Sequence, residues 1–151
     1  MVQHLLKGAG GLGLDVGPVQ ERQLWRYLDK LLAWNRRVNL TAVTLPEEVE
    51  RVHFLDSLTV AAAIPEVLRA GCSLIDVGTG GGFPGVPLKV IFPDIELTLV
   101  ESVAKKTAFL RHLVDVLDLK GVQILTGRAE TLARDPSLRE RFDVAVSRAV
   151  G

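Results

Sequence analysis

Ser73-Leu74-Ile75-Asp76-Val77-Gly78-Thr79-Gly80-Gly81-Gly82-Phe83-Pro84-Gly85 reads as a strand carrying an acid near its end, a glycine hairpin and the start of a helix. This order sets a nucleotide-like cofactor over the end of a parallel sheet, because the hairpin's amides and the positive end of the helix meet there. Glycines fall at 78, 80 and 82, whereas the dinucleotide fingerprint G-x-G-x-x-G needs glycine where Phe83 stands. That phase suits S-adenosylmethionine better than NAD. Gly78, Gly80 and Gly82 clear side chains from the path by which backbone approaches a ligand. Asp76 is placed to accept hydrogen bonds from amides or from the cofactor's amino group. Phe83, the first bulky residue after the loop, either packs against the cofactor or plugs the helix onto the sheet.

Glu101 closes the next apolar run, where a carboxylate can take both hydroxyls of a ribose. Lys105 and Lys106, one turn later, read as a solvated face. Gly127-Arg128-Ala129-Glu130 follows a third run, and an amide at Ala129 or Glu130 there can pair with an adenine edge, although Glu130 can equally just begin a helix. Ser147-Arg148-Ala149 closes a fourth run beside the first, so Arg148 is expected to point into the crevice, toward the cofactor's carboxylate or an RNA phosphate. A second glycine run, Gly8-Ala9-Gly10-Gly11-Leu12-Gly13, matches the dinucleotide expression letter for letter, but no strand precedes it. Residues 1–17 are therefore expected to be a flexible leader.

The pattern divides at Gly71. Before it, residues 18–70 read as a helical cap: Leu24, Leu28, Leu31 and Leu32 recur at helical spacing from Pro18 to about Trp34. Thr44-Leu45-Pro46-Glu47 has a capping-box layout for a second helix reaching about Phe54, and Asp56 or Ser57 is placed to cap a third that ends near Pro65. After it, residues 71–151 alternate short apolar runs with helices. Strands are expected at Leu74 to Val77, Leu97 to Val100, Val122 to Leu125 and Phe142 to Val146. Helices are expected at Pro84 to Phe92, Val103 to Leu119 and Glu130 to Ala133. Ser102 is expected to cap the second of these, and Ala104, Ala108, Val116 and Leu117 to line its buried face. The fold class is α/β, a doubly wound half-sheet with a helical cap, one domain overall.

Bulk properties bound the function. The chain has 151 residues, 48% of them apolar, enough for a core. Eighteen basic side chains balance eighteen acidic ones, which argues against binding nucleic acid by phosphate neutralisation over the whole surface, so any RNA contact must come from local patches. The single Cys72 suits a small apolar role in a reducing compartment, and no apolar run approaches the ~18 residues of a membrane span. The cytoplasm is the expected location, with no membrane partner and no metal.

Trp34-Asn35-Arg36-Arg37-Val38-Asn39-Leu40-Thr41, His53-Phe54-Leu55-Asp56-Ser57-Leu58, the glycine loop, Gly127-Arg128-Ala129-Glu130 and Ser147-Arg148-Ala149 together resemble the bacterial 16S ribosomal RNA methyltransferase G family, also called glucose-inhibited division protein B. The likeness runs from about Leu24 onward. It implies a class I S-adenosylmethionine-dependent methyltransferase fold, Rossmann-like, and methyl transfer to N7 of a guanine in 16S rRNA or the small ribosomal subunit. Carried over by position, Gly78, Phe83, Ala129, Glu130 and Arg148 match the family's cofactor contacts, and Glu101 matches the ribose acid of class I enzymes. N7 already presents a lone pair, so no general base is required and no catalytic residue is assigned. Alignment and exclusion of water are expected to supply most of the rate. His53, beside Phe54 and Leu55, reads as a hydrogen-bonded core residue, and Arg36 and Arg37 as rRNA contacts or a solvated helix end.

The chain stops just after the fourth strand, whereas family members continue. Strands 1–4 form a contiguous block in the order 3-2-1-4, which is expected to keep both walls of the crevice. A shortened chain of this kind is expected to keep weak cofactor binding without rRNA methylation, and to self-associate through the exposed edge of the fourth strand. The rival readings are a non-catalytic fragment and an NAD-dependent oxidoreductase half-domain.

Overall fold

The computed structural model describes residues 2–148. Two helices open it, α1 (Gln3–Gly11) and α2 (Pro18–Asn35). A nearly continuous helical run follows: α3 (Pro46–Val49), a π-helical segment (Glu50–Leu55), α4 (Asp56–Leu58), α5 (Val60–Ala63) and α6 (Pro65–Arg69). The sheet region is β1 (Ser73–Val77), α7 (Gly85–Ile91), β2 (Glu96–Glu101), α8 (Ala104–Val116), β3 (Val122–Thr126), α9 (Ala129–Leu132) and β4 (Val144–Ser147). All three strand pairings are parallel, in the order β3-β2-β1-β4.

Register assigns the two faces of the sheet. Leu74, Leu97 and Leu99 lie on one face with Asp76, and all four are buried beneath the helices. On the opposite face Ile75, Val77 and Leu125 are half-buried and Ala145 is exposed. Strand β4 pairs with β1, and its outer edge has no strand partner among the described residues. At the lower end of the β1/β4 pair, Ser73 N donates to Asp143 Oδ2 at 3.0 Å, and Asp143 N donates back to Ser73 Oγ at 2.9 Å.

Residues 2–17 differ from expectation. They are no loose leader: Val2, Leu5, Ala9 and Leu14 are buried, and Leu5 N donates 2.9 Å to Glu50 Oε2 on a side chain only 2% exposed. The glycines hid this helix, since each lowers helix propensity by ~1 kcal/mol relative to alanine. Gly8 has a packing reason, because a Cβ there would stand 2.5 Å from Leu55 Cδ2.

Three expected caps do not form. Helix α3 starts after Leu45 with Pro46 in its first turn and no side-chain cap, so Thr44 and Glu47 form no capping box. Asp56 and Ser57 cap nothing either. The helical run passes straight through them, and Ser57 Oγ donates to the His53 carbonyl at 2.5 Å. At α8, Glu101 Oε2 accepts from Val103 N at 2.8 Å, displacing Ser102 from the capping role. The buried face of α8 is also rotated from the expected one: Thr107, Phe109, Leu110, Leu113 and Leu117 are buried, Ala104 and Ala108 are exposed, and Val116 is half-buried. Larger side chains remove more apolar area from water, so Phe109 and the leucines fix the rotation and the alanines follow.

A docked α1 has a measurable consequence. Leu5→Ala should lower the unfolding free energy by about 2–4 kcal/mol, as for other buried leucines. A change below about 0.5 kcal/mol in urea denaturation, the range of ordinary surface substitutions, would return these residues to the status of a leader.

Candidate functional site

The site grows from the place where β1 ends. Gly78 N and Thr79 N both donate to the Val100 carbonyl on β2, at 2.9 and 3.1 Å, so the glycine loop starts clamped to the neighbouring strand. Gly80 N then donates 3.0 Å to Glu101 Oε1, while the other oxygen of Glu101 takes the Val103 amide. One carboxylate, 6% exposed, thereby ties the loop to the first turn of α8. Gly80 has φ +58° and faces open space. Its freedom is conformational, whereas Gly82 serves packing as well: its φ is +102° and a Cβ there would lie 2.5 Å from the Tyr27 hydroxyl.

A second carboxylate holds the loop from below. Asp76 Oδ2 accepts from Thr79 Oγ1 at 2.7 Å and from Gly85 N at 2.8 Å, bridging the loop to the start of α7. Gly85 permits this approach, since a Cβ would stand 2.9 Å from that same oxygen. Asp76 is fully buried and its Oδ1 has no hydrogen-bond partner. Burial pushes its carboxyl up to about 7, against the opposing pull of the Thr79 and Gly85 hydrogen bonds and the Arg148 charge.

Over the ends of β1, β2 and β3 lies a cleft of about 230 Å³ lined by Val77, Gly78, Val100, Ser102 and the segment Gly127-Arg128-Ala129-Glu130. Three of the residues expected from the sequence therefore meet in one wall: Gly78, Ala129 and Glu130. Gly80 and Glu101 form the anchor of the loop. Gly127 N donates to the Glu101 carbonyl at 2.9 Å, which fixes that wall to the same residue.

Phe83 and Arg148 are placed elsewhere. The Phe83 ring is 5% exposed, stacked on Tyr27 (centroids 5.2 Å, planes 9° apart) and on His53 (4.8 Å, 18°), with Phe54 at 5.4 Å. It plugs the loop onto the cap. Tyr27 adds a hydrogen bond from its hydroxyl to the Gly81 carbonyl at 2.6 Å, and burial pushes that phenol well above its ordinary range. Arg148 does not point into the crevice. Its guanidinium turns to the cap, donating to the Val52 carbonyl (3.0 Å), Asp56 Oδ2 (3.2 Å) and His53 Nδ1 (2.7 Å), and lies 5.3 Å from the Phe83 centroid. A backbone carbonyl, a carboxylate and an imidazole nitrogen on one helical run satisfy its planar fork where open solvent would not.

This arrangement fixes the state of His53. An arginine only donates, so Nδ1 accepts, and Nε2–H donates to Thr41 Oγ1 at 2.6 Å. Burial, then the neighbouring Arg148 charge, lowers the imidazole to about 4, with Asp56 opposing. Thr41 is held in turn by Asn35, whose Oδ1 accepts from Leu40 N and Thr41 N, both at 2.9 Å, and whose Nδ2 donates to the Thr41 carbonyl. Tyr27, Asn35, Thr41 and Asp56 are the supporting residues that chemistry-led reading of the sequence missed. The signal for Asn35, Thr41 and Asp56 lay in the cap segments 35–41 and 53–56, and Tyr27 showed only as one more position on the buried face of α2.

The Asp76 carboxyl gives a pH test. Its folded value lies above the ordinary 3.8, so its stabilising contribution is full below about pH 4 and is lost as pH rises through about 7. Asp76→Asn, which stays neutral, should therefore gain stability relative to the parent between pH 4 and 8, on the order of 4 kcal/mol. The His53 titration is common to both chains and cancels in the difference. Urea midpoints of the two proteins that run parallel with pH would refute the buried, elevated acid.

The rRNA small subunit methyltransferase G (GidB) family model matches residues 20–151. The ribosomal RNA small subunit methyltransferase G of Roseiflexus sp. (strain RS-1) is 52% identical over 146 residues, covering 97% of this chain and 61% of the relative. That of Caldanaerobacter subterraneus subsp. tengcongensis is 44% identical over 149 residues, covering 99% and 62%. The chain thus spans about three fifths of the length of these curated relatives. Among solved structures, "a putative O-methyltransferase from Klebsiella pneumoniae" superposes with a TM-score of 0.62 at 19% identity, covering 95% of this chain and 56% of that one, a likeness of fold. The parallel sheet with its glycine loop, the cleft above it and the match over most of the sequence agree: the chain belongs to the rRNA small subunit methyltransferase G family.

Proposed function

We propose that this chain binds S-adenosylmethionine at the glycine loop, and that the whole protein uses it to methylate N7 of a guanine in 16S rRNA. The observation that carries the choice of cofactor is the pair of carboxylates on the loop. The Gly80 amide is already given to Glu101, and Asp76 lies buried beneath with one oxygen lacking a donor. The Glu101 carboxylate opposes a pyrophosphate there and favours a cationic ligand, and the free Asp76 oxygen offers an acceptor for that ligand's ammonium. The residues present therefore fit this cofactor better than a dinucleotide. No helix among the described residues is long and apolar enough to cross a membrane, and the cytoplasm is the proposed compartment.

In this reading Gly78, Ala129 and Glu130 form the wall for the adenosine, with backbone amides facing the base edge. Glu101 takes the ribose hydroxyls on the lone pairs that its two amide bonds leave free. Phe83 acts from behind, holding the loop against the cap. Arg148 reaches the ligand's carboxylate by leaving Val52, His53 and Asp56, so cofactor binding competes with its contacts to the cap. The cofactor supplies an electrophilic methyl group. N7 of guanine offers a lone pair without prior loss of a proton, so the protein's tasks are orientation and exclusion of water.

Calorimetry tests the cofactor. S-adenosylmethionine should titrate, NADH should not, and Glu101→Gln should weaken binding by about tenfold or more, the scale of a hydrogen bond to a charged group. Binding of NADH in place of S-adenosylmethionine would overturn the assignment. Methyl incorporation into 16S rRNA by the full-length relative, read at N7 by strand scission and primer extension, tests the acceptor; modification at any other atom rejects it.

A further inference from the structure

The solvent face of α2 lies outside the candidate site and has its own exposed side chains. Its core face already supplies Leu24, Tyr27, Leu28 and Leu31, all buried, yet the outer face carries Trp25 at 47% and Val19 at 56% exposure. At helical spacing the exposed positions include Arg22, Trp25, Arg26, Asp29 and Ala33, and Arg36 and Arg37 follow just past the last turn. Arg22, Trp25 and Arg26 line an open groove of about 460 Å³ with Pro18 and Glu21, and Arg22 and Arg26 also border a second groove of about 330 Å³ against the end of α8.

Charge on this face is one-sided. Asp29 is engaged by Lys30 at 3.9 Å and Asp118, in the second groove, by Lys120 at 2.7 Å. None of the four arginines has a carboxylate partner among the described residues, which leaves Glu21 as the acid opposing them. The stripe also has a direction. Arg26 donates to the Val116 carbonyl at the end of α8, whereas Trp34 packs on Phe109 and His112 nearer its start. Helix α8 begins where β2 ends, so Arg36 and Arg37 lie toward the end of the sheet that holds the cleft. From Trp25 to Arg36 the helix rises about 16 Å.

We propose that this face docks a single-stranded segment of RNA, with a base stacked on the Trp25 indole, Arg22 and Arg26 on the adjoining phosphates, and the strand running along α2 toward Arg36, Arg37 and the cleft. An unstacked base offers the flat face an exposed indole takes, and guanidinium groups flank it as phosphate donors. A charge-neutral chain binds RNA through a local patch of this kind and not through its overall field. The proposal rests on RNA being the acceptor.

The probe is a fluorescein-labelled single-stranded RNA 12-mer, followed by anisotropy over a range of KCl concentrations. Trp25→Ala should weaken binding about fivefold or more. Arg22→Gln with Arg26→Gln should lower the log–log salt slope by about 1.4. Arg139→Gln, exposed outside α2, should do neither. Equal urea midpoints establish that the variants are folded. Absence of RNA binding by the parent, or losses on α2 no greater than for Arg139→Gln, overturns the proposal. So does loss of binding to a polyglutamate peptide with RNA binding intact, which would assign the face to an acidic protein. S-adenosylmethionine calorimetry on the same variants separates the two readings: cofactor binding without RNA binding rejects the surface alone, and RNA binding that depends on α2 without cofactor binding rejects the cofactor alone.

Discussion

Hydrogen bonds from the glycine loop to two carboxylates hold the rest of the site in place. The loop turns through backbone that few side chains permit, so its amides cannot be used up in regular structure and need acceptors. Glu101 receives Gly80 from the side and Asp76 receives Gly85 from beneath. Each acid also bonds a second group, Val103 N for Glu101 and Thr79 Oγ1 for Asp76. The loop is thus tied to the first turns of α8 and α7, and the cleft above it inherits its shape from those bonds. A carboxyl at each side of one turn, each bonding two groups, makes a rigid floor.

The cap attaches to this floor through aromatic packing. Phe83 follows directly from the loop and is held between Tyr27, His53 and Phe54, while Tyr27 bonds the Gly81 carbonyl. Movement of the loop is therefore felt in the cap. The π-helical segment carries His53 within reach of Thr41 on one side and Arg148 on the other, a placement in keeping with the tendency of such segments to occur at functional positions.

Much of the fold was legible because short apolar runs bounded by glycine, proline and charged residues have few alternatives to buried parallel strands. All four strands and the helices between them follow from that pattern, and their order is the one that the resemblance to class I methyltransferases implies. The glycine loop and the Ala129-Glu130 wall were legible for a similar reason: strand ends in this topology converge on one crevice. Side-chain direction was not. Arg148 sits at the expected strand end, yet a long guanidinium can turn to either layer, and the carbonyl of Val52 and the carboxylate of Asp56 decide the matter from nearly a hundred residues away. Helix α1 was missed because its glycines argue locally against a helix that tertiary contacts with Glu50 and Leu55 then stabilise. The cap expected of Ser102 failed because Glu101, brought closer by the fold, takes the Val103 amide, whereas α3 starts on Pro46 with no side-chain cap at all.

The contacts of Arg148 also bear on the order in which the site is assembled. Tyr27 and Gly81 are 54 positions apart, so the cap can meet the loop once β1 and its turn have formed. Arg148 is 96 positions from Val52 and 95 from His53. Contacts of such long sequence separation form late, since the intervening chain must be organised before they compensate its lost entropy. A ribosome releases the cap, the loop and the first three strands before residue 148, and His53 waits for its guanidinium partner throughout. The contacts of Arg148 are thus the last of these for which the nascent chain supplies both partners.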